Sequence, residues 1–285
     1  MSTQTQTRAP LQDFVRVQAT RVWSLPNFGE LWAFRDLVVM IALRDLRVRY
    51  KQTALGVFWV ILQPLLTSGI FTIIFGRLAN LQPDGNVDYL VFANVGTVIW
   101  VLFENSVARA SHSLLFGMGI ISKVYFPRIV LPVASVLSGL IDFLIAFWVT
   151  ILLLLLYHVP ITPRMLLMPV IILGILLLAI SVGMSVSALS IRRRDLLTAL
   201  PFLLKMAMYS VPVVYSITLI PENWLTLYKL NPLVGFVLAA QWSMLNLQQP
   251  FPLSEVAYSV ILTIILFLAS SLLYRRVERN AVDTL

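Results

Sequence analysis

Residues 165–191 read MLLMPVIILGILLLAISVGMSVSALSI, a run without a single charged side chain. A bilayer's hydrocarbon core is about 30 Å thick and takes roughly 20 apolar residues as a helix. With no water at that depth, the backbone N–H and C=O groups must pair within their own segment. The run therefore reads as a membrane-spanning α-helix. Within it Ala179, Gly183 and Ser187 recur at four-residue spacing, a ladder of small side chains that lets another helix approach closely.

Outward from this run, five more stretches have the length and apolar character of spans: about Gly56 to Leu78, Tyr89 to Ser111, Ile129 to Tyr157, Leu197 to Thr218 and Leu253 to Tyr274. Of the 285 residues 59% are apolar and only 12% charged, more hydrophobic surface than one soluble core of this length holds. The fold class is thus an all-α integral membrane protein with six transmembrane helices. The first 30 residues carry Arg8, Arg16 and Arg21 without the continuous apolar core of a signal peptide, so the N-terminus is expected to stay in the cytoplasm.

The net charge of +8 raises the question of nucleic acid, and the positions of the charges answer it. With both termini inside, only Arg77, Arg164 and Lys229 of the 21 Lys and Arg residues fall outside, and Lys205 lies within the fifth run. This is the positive-inside pattern of a multi-pass protein, and it leaves no basic excess for nucleic acid.

Between the fifth and sixth runs, the stretch from Pro221 to Pro252 is broken by Pro232 and Pro250 into apolar pieces too short to cross. It reads as re-entrant or interfacial outer helices, with Trp224, Tyr228 and Trp242 at a headgroup boundary. The competing reading, a seventh span, puts the basic C-terminus outside. Ahead of the first run, Val39, Leu43, Leu46 and Tyr50 recur at helical spacing beside Arg44, Arg47 and Lys51. This reads as an amphipathic helix on the inner membrane surface, or as a cytosolic extension of the first span. The resulting division is a tail at 1–29, the interface helix at 30–53, the six-span domain at 54–275 and a second tail at 276–285.

The chemistry the chain lacks is equally informative. There is no cysteine, hence no thiolate metal site and no thiol nucleophile. No Gly-Lys pair occurs, so the phosphate-binding G-x-x-x-x-G-K-[ST] loop is missing and any ATP is hydrolysed by another protein. His112 and His158 fall near opposite faces and cannot share a metal in one chain. Asp142 stands alone deep in an apolar run and reads either as a functional intramembrane acid or as an interhelical hydrogen-bonding group. Glu104, Arg109 and His112 line either a polar entrance or a solvated helix end. The aromatics Trp59, Tyr89, Phe92, Trp100, Phe103, Phe143, Trp148, Tyr209 and Tyr215 are spread through the spans; such faces suit a sugar ring sliding past, and equally suit packing.

Four blocks carry a resemblance. DLRVRYKQTALGVFWVILQPLL from Asp45 to Leu66 resembles the opening signature of type-2 ABC export permeases of the polysaccharide and polyol phosphate class, which includes O-antigen, capsule and teichoic acid exporters. SKVYFPRIVLPVASVLSGLIDFLIA (Ser122 to Ala146), RDLLTALPFLLKMAMYSVPVVY (Arg194 to Tyr215) and LNPLVGFVLAAQW (Leu230 to Trp242) are similar to later segments of the same family. The resemblance implies a homodimer in the bacterial inner membrane, both termini cytoplasmic, bound to two copies of a cytoplasmic ABC ATPase and exporting a lipid-linked glycan. This chain then holds no cofactor, and ATP and Mg are bound by the partner subunit. The resemblance assigns ATPase coupling to Lys123, Tyr125, Phe126, Pro127 and Arg128, with a second contact at Arg192, Arg193, Arg194 and Asp195. The interface helix takes in Arg44, Arg47, Arg49, Tyr50 and Lys51, and the substrate channel Trp59, Tyr89, Phe92, Trp100, Phe103, Phe143, Tyr209 and Tyr215. Gly117 and Gly119 stand where family members commonly have asparagines, a departure in the gate helix. Three other functions compete: a type-2 exporter of drugs or small amphiphiles, a membrane glycosyl- or phosphotransferase using Asp84 and Asp88, and a secondary transporter, for which mid-membrane charge is scarce.

Overall fold

Helix α4 (Tyr89–Ile121) is the axis of the molecule: 78% of its most apolar window is buried, against 11% for the first run. The computed structural model describes residues 28–51, 56–85, 87–121, 126–191 and 193–282. In chain order the helices are α1 (Phe28–Ala33), α2 (Arg35–Lys51), α3 (Gly56–Phe71), α4, α5 (Val130–Leu156), α6 (Met168–Ser190), α7 (Asp195–Met208), α8 (Glu222–Lys229), α9 (Pro232–Met244) and α10 (Leu253–Val282). There is no strand among the described residues. Among the described residues, five helical segments are long and apolar enough to cross a membrane.

The starts of α2 and α5 and the ends of α6 and α10 share one end of the bundle, here the basic end, where the Tyr274 hydroxyl donates to the Arg128 carbonyl. At the opposite end the Arg164 guanidinium donates to the Leu247 carbonyl at 2.8 Å. Small residues bring α6 onto α4. A Cβ at Gly183 would collide with Ala110, and Ala179 and Ser187 are fully buried, as the small-residue ladder requires. Polar side chains tie the opposite half: Asn94 donates to Ser68 on α3 at 3.4 Å and accepts from Thr150 on α5 at 2.9 Å.

The fifth expected span departs from a plain helix. Helix α7 stops at Met208, the amides of Tyr209, Ser210 and Val211 still pair with carbonyls three residues back, and residues 212–215 continue without helical pairing. Pro212 cannot donate a hydrogen bond, and non-helical backbone at membrane depth survives only when protein covers it. The cover is visible: Gln241 donates to the Pro212 carbonyl at 2.8 Å, Tyr89 donates to the Val214 carbonyl, and any Cβ at Gly96 of α4 would overlap the Val213 carbonyl. The segment starts beside the basic end and reaches Asp84 at the opposite end through Ser216, giving a sixth crossing that begins as helix and ends as irregular, bent chain.

Helices α8 and α9, of 8 and 13 residues, are too short to cross, which removes the seventh span. Asn231 caps α9 through its side chain, with Pro232 at the first helical position. The stripe of α2 that faces the protein is Val38, Ile41, Ala42, Leu46 and Tyr50, while Val39 and Leu43 are exposed. One alternative needs correction: α4 runs helically past Ser111 through Gly117 and Gly119 to Ile121, so Glu104, Arg109 and His112 lie inside a helix and not at a solvated end.

Candidate functional site

Asp142 lies midway along α5, and three groups from two other helices converge on it. Arg49 near the end of α2 donates to Oδ2, Arg109 of α4 donates to the same oxygen at 2.6 Å, and the Tyr50 hydroxyl donates to Oδ1 at 2.5 Å. The carboxylate side chain is 12% exposed, Arg109 19% and Arg49 33%. A carboxylate this enclosed is costly unless its lone pairs are filled, and here paired guanidiniums and a phenol fill them. Burial, and then the hydrogen bond to Asp142, push the Tyr50 phenol up to about 12, so it stays an O–H donor at neutral pH. The local fold sets this up. A Cβ at Gly139, one turn before Asp142, would press on the Arg109 side chain, so its absence lets the guanidinium lie flat against α5.

The cluster forms one wall of a cavity of about 310 Å³ between α2, α3, α4 and α5, completed by Trp59, Gln63, Asn105 and Phe143. Of the five residues expected on the interface helix, Arg49 and Tyr50 reach this site. Arg44 pairs locally with Asp45 at 2.7 Å, and Arg47 and Lys51 are exposed.

The expected coupling residues fall at the basic end. Phe126 is buried with Val38 and Ile41 of α2 against Val130 and Ala134 of α5, and Pro127 and Arg128 form the turn that opens α5. Arg193, Arg194 and Asp195 are exposed at the α6–α7 junction. Lys123, Tyr125 and Arg192 lie outside the described residues. The aromatic set does not converge on one path. Tyr89, Phe92, Trp100, Phe103 and Phe143 pack in the main core, Tyr209 is exposed and Tyr215 bonds to Tyr228; only Trp59 and Phe143 share the cavity.

The groups weighed for other chemistries have structural work. Asp88 accepts from the Leu90 amide at 2.8 Å and so caps α4, and Asp84 is held by Ser216. Glu104 accepts from the Trp100 indole at 3.0 Å, and His112 contacts the Ala108 carbonyl at 2.9 Å.

Residues 36–245 match the family described as ABC-2 type transporter, which spans the cavity and all but the last crossing. The chain belongs to that family. Its relatives include two O-antigen export system permease proteins RfbA of Klebsiella pneumoniae, 30% identical over 258 residues and 29% over 256, and one of Myxococcus xanthus, 26% over 254. Each alignment covers 88% of this chain and 96% of the relative. This ABC-2 type transporter is therefore a multi-pass membrane permease. Sequence reasoning singled out Asp142, Arg109 and Arg49 separately and missed that they meet. The available signal was the lone mid-span acid, which demands a cationic partner.

Proposed function

We propose that the chain is the transmembrane subunit of an ATP-driven exporter that moves a lipid-linked polysaccharide, of the O-antigen class, across the bacterial inner membrane. The observation that carries this reading is the near end-to-end match to O-antigen export permeases, 88% of this chain against 96% of theirs. The sequence holds no nucleotide-binding loop, so the motor is a separate cytoplasmic ABC ATPase that binds ATP and Mg. Two copies of each subunit make the complex, with the basic end of the bundle and both termini in the cytoplasm. The exposed Arg193, Arg194 and Asp195 and the turn at Phe126 to Arg128 then face the ATPase, and short elements rooted in rigid helices transmit its closure to the spans.

The purified chain alone is expected to show no ATPase activity, and activity is expected on adding the cognate nucleotide-binding subunit. Robust hydrolysis by the chain alone ends the reading. In cells, deletion is expected to leave lipid-linked glycan on the cytoplasmic side. A deletion strain with normal surface glycan and only heightened drug sensitivity points instead to small-amphiphile export.

A further inference from the structure

Asp142 holds two guanidiniums from different helices and a phenol O–H. That is the donor set proteins use for phosphate, because the flat fork of Arg matches two oxygens of a phosphate as well as those of a carboxylate. The residues lining the cavity include two basic side chains and one acid, with Gln63 and Asn105 as neutral polar groups. Its volume of about 310 Å³ sits at the small end of ligand sites, enough for a headgroup and too little for a glycan chain. It also opens to the surface of the chain: Trp59 lines it and is 57% exposed, beside the exposed Val57 and Phe58 at the start of α3.

Resting on the export reading, we propose that this cavity seats the phosphate or diphosphate of an anionic amphiphile, which takes Arg49 and Arg109 over from Asp142. In the structure the Asp142 carboxylate occupies the place of that anion. The apolar tail leaves past Val57, Phe58 and Trp59 into the bilayer, and the saccharide stays outside the cavity. No covalent bond is made or broken; the step is an exchange of anions around the two guanidiniums. Its consequence is mechanical. Arg49 and Tyr50 tether the end of α2 to α5, whereas the start of α2 is held by apolar contact with Phe126, Val130 and Ala134. Loading the cavity hands the Arg49 end of α2 from α5 to the bound anion and leaves the other end on the turn expected to meet the ATPase, so an occupied headgroup site is reported at the basic end as a shift between two arrangements of one helix.

The test uses the full chain in detergent micelles, with farnesyl diphosphate, inorganic pyrophosphate and farnesol as probes. Saturable binding and thermal unfolding are followed for wild type, Asp142→Asn, Arg109→Gln and, as a charge control at the opposite end, Arg77→Gln. Farnesyl diphosphate is expected to bind wild type and Arg77→Gln alike, and Arg109→Gln about tenfold more weakly. Farnesol is expected to do nothing. Asp142→Asn is the decisive variant: without anion it melts below wild type, and farnesyl diphosphate raises its midpoint by more than it raises the wild type's, since the anion replaces the missing carboxylate. A purely structural role predicts the lower midpoint without the rescue, and that result overturns the proposal, as does equal binding to wild type and Arg109→Gln. Equal rescue by inorganic pyrophosphate keeps the exchange and overturns the lipid-borne source. The ATPase measurement above does not involve these probes, so either idea can fail alone.

Discussion

Asn94 joins three helices with one side chain, donating to Ser68 and accepting from Thr150. Hydrogen bonds between membrane helices contribute about 0.6 to 2 kcal/mol each, because the separated helices find other partners in lipid. Asn94→Ala should therefore lower resistance to SDS unfolding by about 1 to 2 kcal/mol, with Thr150→Val costing less because it removes only one of the two interhelical bonds. An Asn94→Ala chain as resistant as wild type would mean that α3 is held by something else. Asp142 belongs to a costlier class: removing one partner of a buried ion pair leaves the others uncompensated, at about 3 to 5 kcal/mol.

Among the elements, the turn from Phe126 to Arg128 joins three helices. It supports α2 through the buried Phe126, opens α5 through carbonyls of Pro127 and Arg128, and receives the Tyr274 hydroxyl of α10 on the Arg128 carbonyl. The contacts made by the Arg128 backbone do not depend on its side chain. Arg128→Glu is thus expected to insert and fold normally while uncoupling ATP hydrolysis from export, read as ATPase activity retained with glycan left inside the cell. Unchanged export removes Arg128 from the coupling role. The crossing that begins as α7 follows the same logic of local chemistry answered by neighbours, since Pro212 ends regular pairing and Gln241, Tyr89 and Gly96 receive the freed backbone.

For the molecule as a whole, the absence of cysteine makes orientation and assembly measurable on a clean background. A single cysteine at Ile161, which is 54% exposed, is expected to react with a membrane-impermeant maleimide in intact cells, and one at Arg193 only after the cytoplasmic side is opened. The reverse pattern places the basic end outside, where no ATPase reaches it. The exposed sides of α3 and α7, including Leu66, Ile70, Phe202 and Leu203, are apolar and suited to lipid or a second copy. Light scattering is expected to give a protein mass in the micelle of twice 32.1 kDa. A single-chain mass in the micelle and in the ATPase complex removes the homodimer.

Composition and charge placement by themselves determined that this chain crosses a membrane repeatedly as helices, because apolar length and the cost of unpaired backbone in lipid are properties of each segment alone. The short outer helices were legible for the same local reason, in Pro232, Pro250 and the lengths between them. Only the tertiary structure decided which face of α2 packs inward, that α7 ends early, and that Asp142 meets Arg49 and Arg109. Those facts depend on residues 93 and 33 positions apart coming within hydrogen-bonding distance, and neither helical period nor hydropathy encodes which helix lies beside which.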